Sequence, residues 1–116
     1  MKFHTKSALL ILLAMHVGFA PGRQAAAADR QVEAGRLLVQ ENCARCHAVG
    51  RTGESAMEEA PPFRRLHTRY PVDDLAEALA EGISVGHKEM PPFQFEPVQI
   101  EALIAYLKSL ERPLRD

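Results

Sequence analysis

The sequence predicts an all-α fold of three main helices joined by long wrapping loops, after a cleaved leader. Three observations carry this. Three segments place apolar residues at helical spacing, no segment alternates like a strand, and two long stretches are broken by Gly and Pro. The chain has 116 residues, enough for one domain. Hydrophobic residues are 47% and charged residues 25%, the mixture of a globular rather than a disordered chain. A formal net charge of −1 argues against a nucleic-acid binder, which carries a basic surplus. Two cysteines are too few for a disulfide framework or a four-cysteine zinc site.

The first element is an address. Lys2 and Lys6 precede an almost wholly apolar run from Ala8 to Ala20, and small residues follow at Ala26-Ala27-Ala28. A positive start, a short apolar run and an Ala-x-Ala site are the marks of a secretory signal, and a spanning helix wants about 20 apolar residues. Residues 1–28 are therefore expected to be a signal peptide and 29–116 the working domain, exported to the bacterial periplasm. Only an uncleaved signal would tie the chain to a membrane. Cleavage removes Lys2, Lys6 and Arg23 but no acid, so the remainder is more acidic. A domain so small tends to need a staple, whether disulfide, metal or cofactor.

Asp29 is expected to cap the first helix, with Val32, Gly35, Leu38 and Val39 on its apolar face. Gly35 in mid-helix costs about 1 kcal/mol relative to alanine, which suggests that another backbone packs closely there. The helix runs into Cys43-Ala44-Arg45-Cys46-His47. The stretch from Ala48 to Pro71 exceeds the roughly 12–15 residues usual for a loop in a compact domain, unless it wraps something. Short turns are expected around Ser55–Glu59 and Phe63–His67. Asp73 is expected to cap a helix over Asp74–Glu81, with Leu75, Ala76 and Leu79 inward and Gly82 as its left-handed stop. A second irregular stretch, Ile83 to Glu96, holds Met90-Pro91-Pro92-Phe93. The last helix opens with Pro97 in its first turn, carries Val98, Ile100, Leu103, Ile104, Leu107 and Leu110 at helical spacing, and ends by Pro113.

Cys43-x-x-Cys46-His47 is the attachment pattern of a c-type haem. Thiols one helical turn apart lie on one side of the chain and can add to the two vinyl groups on one haem edge. His47 then turns its imidazole to the iron. Export fits, because the attachment takes place outside the bacterial cytoplasm. A Cys43–Cys46 disulfide is a weaker alternative. A redox dithiol would need a βαβ context, and a zinc site would need His67 and His87 at a spacing that matches no usual pattern. Candidates for the sixth iron ligand are Met57, Met90, His67 and His87. Met90 is favoured because Pro91 and Pro92 stiffen the backbone beside it. Met57 reads as an adaptable apolar side chain, and both histidines as surface residues.

With these residues in view, the chain resembles the class I monohaem cytochromes c over nearly all of residues 29–112. The resemblance implies the cytochrome c fold around one covalent haem c. It implies that Leu103-Ile104-Ala105-Tyr106-Leu107 belongs to a C-terminal helix crossing the first helix at Gly35, close to Leu103 and Tyr106. Val39 stands where many members have an aromatic. Pro61-Pro62-Phe63 resembles the family's proline segment, where a proline carbonyl accepts a hydrogen bond from the iron-ligating histidine. The role falls to Pro61, with Pro62 as the alternative. Met90 matches the axial methionine. The tryptophan that many members place near a haem propionate is missing, and Arg64, Arg65 and Tyr70 are candidates to replace it.

The expected function is electron transfer rather than enzymatic catalysis, with Met/His ligation raising the potential and Phe93 and Phe95 shielding the Met90 side. Expected partners are redox proteins (a dehydrogenase, oxidase or reductase) that dock transiently. The alternative is an open-site haem protein, a ligand-binding sensor or enzyme subunit, in which Met90 is labile or not a ligand.

Overall fold

A computed structural model describes residues 21–82 and 89–111. These residues form helices, turns and irregular loops, with no strand among them. The leader's charged and apolar segments, His87 and the expected stop at Pro113 lie outside the described residues.

Helix α1 spans Pro21–Asn42. It starts well before Asp29, which therefore sits inside a helix and not at its cap. The physical reason is local propensity: the alanines at 25–28 are the best helix formers, and they carry the helix back to Pro21, a good first residue. Residues 22–28 are exposed, so loss of that segment would uncover no buried side chain. Further on, Val32 and Leu38 are partly buried, while Gly35 and Val39 are buried. Leu37 points away, 54% exposed.

The chain then folds back on itself. The Ser55–Glu59 segment is a turn, with the Met57 amide on the Cys46 carbonyl (3.1 Å) and the Ala60 amide on the Met57 carbonyl (3.1 Å). A 3-10 helix follows at Phe63–Thr68, close to its expected bounds. A second 3-10 turn, Val72–Asp74, leads into helix α2, Leu75–Glu81. Asp73 is thus within that turn and caps nothing; its carboxylate pairs with Lys108 at 2.7 Å. Asp74 is the residue at the N-terminus of α2, and its side chain makes no capping bond. Leu79 is buried and Leu75 and Ala76 partly so, as the spacing predicts. Gly82 stops α2 with φ 74° and ψ 33°, the left-handed geometry expected of it.

Helix α3, Pro97–Glu111, opens on Pro97 as expected and buries Ile100, Ala102, Leu103, Ile104, Tyr106, Leu107 and Leu110. Val98 is the exception, 71% exposed in the first turn. Helices α1 and α3 cross at Gly35. A Cβ there would lie 2.6 Å from the Ala102 carbonyl carbon and 2.8 Å from the Tyr106 Cβ. Of the expected neighbours, Tyr106 is at the crossing. Ala102 faces α1 at this point as well, and Leu103 lines the cavity described next.

Candidate haem site

A cavity of about 340 Å³ opens between the Cys43–His47 turn, α2, α3 and the segment around Met90. Its walls include Phe63, Leu66, Leu75, Leu79, Leu103 and Leu107, with Phe93 and Phe95 beside Met90. Glu59, Arg69, Tyr70 and Asp74, all exposed residues, make its polar rim.

The Cys43–His47 turn is built by continuing α1. The Cys43 amide donates to the Val39 carbonyl (2.8 Å), and the Cys46 and His47 amides both donate to the Cys43 carbonyl (3.1 and 3.0 Å). The two thiols are unbridged and partly buried, and Cys43 is in the cavity wall. Burial, followed by the neighbouring Cys46, pushes the Cys43 thiol up to about 11. A thioether at the same place has no proton to lose, so it suits this apolar wall.

His47 is held at its ring as well as its backbone. Its Nδ1 lies 2.8 Å from the Pro61 carbonyl oxygen. Phe63 packs against the imidazole with centroids 5.0 Å apart, tilted by 46°. The Phe63 amide donates to the Ala48 carbonyl (2.9 Å), which keeps the proline segment beside the histidine. Pro62 does not take the Pro61 role, because its carbonyl accepts the Arg65 amide and starts the 3-10 helix (2.9 Å). A hydrogen bond at Nδ1 fixes the tautomer and leaves Nε2 as the ligating nitrogen.

Met90 lines the cavity that His47 also lines. Met57 and His67 are not among its lining residues, and His67 is exposed. Phe93 and Phe95 stack with centroids 5.6 Å apart and planes 10° apart, and the Phe95 amide is anchored to the Leu79 carbonyl (2.9 Å). Tyr70 reaches the rim, and burial, offset by Arg69, raises its pKa, so its phenol stays a neutral donor. Arg64 and Arg65 do not line the cavity. Arg65 is exposed, whereas Arg64 is largely buried, its side chain 20% exposed, and reaches Glu54 at 3.6 Å. Sequence reasoning missed Arg69 at the rim and Leu66 and Leu107 in the wall. The inward face of α2 was the available signal for Leu75 and Leu79; Arg69 has no local signal beyond its place before Tyr70.

Among the described residues no helix is long and apolar enough to cross a membrane. Nor does any group of three or more His, Cys, Asp or Glu side chains gather to hold a lone metal ion there; His87, which the zinc alternative needs, lies outside the described residues.

A family model described as cytochrome C oxidase, cbb3-type, subunit III matches residues 30–107. Neither a curated protein nor a solved structure matches the chain. A c-type cytochrome domain carries covalent haem c, and the residues here fit that group. Two thiols sit one turn apart, and an imidazole and a thioether border one apolar cavity. The match spans most of the chain, and on it the chain belongs to the cbb3-type cytochrome c oxidase subunit III family of c-type cytochrome domains.

Proposed function

We propose that this chain is a periplasmic electron carrier that holds one haem c through Cys43 and Cys46, with His47 and Met90 as axial ligands. The observation that carries the proposal is that Cys43, His47 and Met90 border the same apolar cavity. When bound, haem c supplies a one-electron ferric/ferrous couple. The protein's own residues set how that couple behaves. The Pro61 carbonyl orients the His47 ring and raises its basicity. As a ligand, Met90 would favour the reduced form and raise the potential, and the stacked Phe93 and Phe95 would keep water from that side. Were His47 and Met90 both to hold the iron, no position would be left for a substrate, as suits electron transfer rather than catalysis. Residues 1–28 are proposed as the export signal. The family's description as an oxidase subunit supports an oxidase among the redox partners, and a transient electron-transfer interface of this kind is small.

The test is redox-titrated absorption spectroscopy of the exported protein, with haem staining of the denatured band. The wild type should stain, show a methionine–iron charge-transfer band when oxidised, and resist carbon monoxide when reduced. Met90→Ala should keep the stain, lose the band and bind carbon monoxide readily. Rapid carbon monoxide binding by the wild type would overturn the closed site, and an unstained band would overturn covalent attachment.

A further inference from the structure

Tyr106 touches both ends of the segment that carries the haem-attachment residues. Its Cβ lies against Gly35, on the helix that leads into Cys43. Its hydroxyl donates to the Val49 carbonyl at 2.8 Å, two residues beyond His47. The same turn of α3 makes one bond within itself and one more tie to this segment. Ser109 Oγ donates to the Tyr106 carbonyl (2.6 Å), and the Arg51 guanidinium donates to the Ser109 carbonyl. Tyr106 and Val49 are both buried, 7% and 8% exposed, so the Val49 carbonyl has little access to water in place of the phenol. Burial also raises the Tyr106 pKa, so the hydroxyl keeps its proton and donates at neutral pH.

We propose that Tyr106 is a positioning residue for His47: its hydroxyl bolts the backbone leaving His47 to α3 and so sets the plane of the imidazole. Two of the imidazole's supports are behind it or beside it, the Cys43 carbonyl on its amide (3.0 Å) and the Pro61 carbonyl at Nδ1 (2.8 Å). The hydroxyl on Val49 holds the backbone ahead of it. Ala48 has its own anchors, its amide on Ser55 Oγ (3.0 Å) and its carbonyl under the Phe63 amide (2.9 Å), so loss of the Tyr106 bond frees the Val49 carbonyl alone, and the shift reaches the ring through the Val49 peptide. Ring packing at Gly35 is a separate contribution, made by other atoms of the same side chain. The proposal rests on the reading of His47 as an axial ligand.

The experiment compares the haem-loaded wild type with Tyr106→Phe, which keeps the ring and removes the hydroxyl. Ile100→Val is the control, a methylene lost from a buried site near the other end of α3. The readouts are the haem-methyl proton shifts of the oxidised protein, which report the imidazole plane, the midpoint potential, and resistance to urea. Tyr106→Phe should move the methyl shifts and the potential, whereas Ile100→Val should lower urea resistance and leave both in place. Arg51→Ala, which cuts the other bond from this segment to α3 and leaves the phenol in place, should give a smaller shift in the same direction. Wild-type shifts and potential in Tyr106→Phe overturn the proposal. So do shifts that follow stability loss equally in the Ile100→Val control. If replacing His47 leaves the wild-type spectrum unchanged, the axial reading has failed, an outcome distinct from failure of the Tyr106 role on a His-ligated protein.

Discussion

At the scale of single residues, Gly35 shows how a cost in one place serves a contact in another. In an isolated helix, alanine would be better than glycine by about 1 kcal/mol. Here a Cβ would meet the Ala102 carbonyl group and the Tyr106 Cβ at distances that real side chains do not occupy. The obstacle is backbone, so no rotamer change relieves it, and the helices would have to part. Overpacking of a close contact costs roughly 1–3 kcal/mol, occasionally more. Because the clash is with backbone, the upper end of that range applies, and Gly35→Ala should destabilise the haem-loaded protein by about 2 kcal/mol net in urea unfolding despite its better helix propensity. A neutral or stabilising result would mean that α1 and α3 are not pressed together at this point.

At the scale of elements, α2 has one end that was legible and one that was not. Gly82 announces the stop because a left-handed residue favours glycine, and φ is 74° there. A Cβ at Gly82 would meet only ordinary contacts, Gln94 at 3.6 Å among them, so conformation alone decides the outcome. Gly82→Ala should cost about 1 kcal/mol, read as a lower urea midpoint. Asp73 was misread because helix caps are judged from neighbours in sequence, whereas its partner Lys108 comes from α3. The distinction is measurable. Asp73→Asn would preserve a cap but abolishes an ion pair, so it should cost roughly 0.2–1 kcal/mol at low salt and almost nothing in 1 M salt. The start of α1 was hidden for a related reason. A good cap at Asp29 signals a possible start, but four alanines before it let the helix continue to Pro21. The site divides in the same way. Cys43, Cys46 and His47 are adjacent in sequence, and their geometry follows from α1. Arg69, Leu66 and Leu107 reach the cavity only through tertiary packing, which local spacing does not encode.

At the scale of the whole molecule, the described core is arranged around the cavity. Helix α3 packs on α1 at Gly35 and turns Leu103 and Leu107 to the cavity wall, while α2 contributes Leu75 and Leu79. The 3-10 helix adds Phe63 and Leu66, and the segment before α3 adds Met90, Phe93 and Phe95. The long irregular stretches thus have an architectural role as walls. A residual apolar cavity costs about 24 cal/mol per Å³ in a protein that relaxes only partly. Applied to a cavity of about 340 Å³, that is about 8 kcal/mol, an upper figure because the rim at Tyr70 and Arg69 is open to water. Domains of ordinary size are stable by only about 5–15 kcal/mol in total. A chain that gains nothing from filling this space has little left to hold its walls, and a seven-residue helix such as α2 is marginal alone. Cys43→Ala with Cys46→Ala, which removes both covalent links, should therefore be largely unfolded. Its circular dichroism should show most of the helix lost and its urea transition broad or missing. The wild type carrying haem c should unfold cooperatively. A double variant that is well folded without haem, with a sharp transition, would mean that the walls close on themselves and that the core does not depend on the group it surrounds.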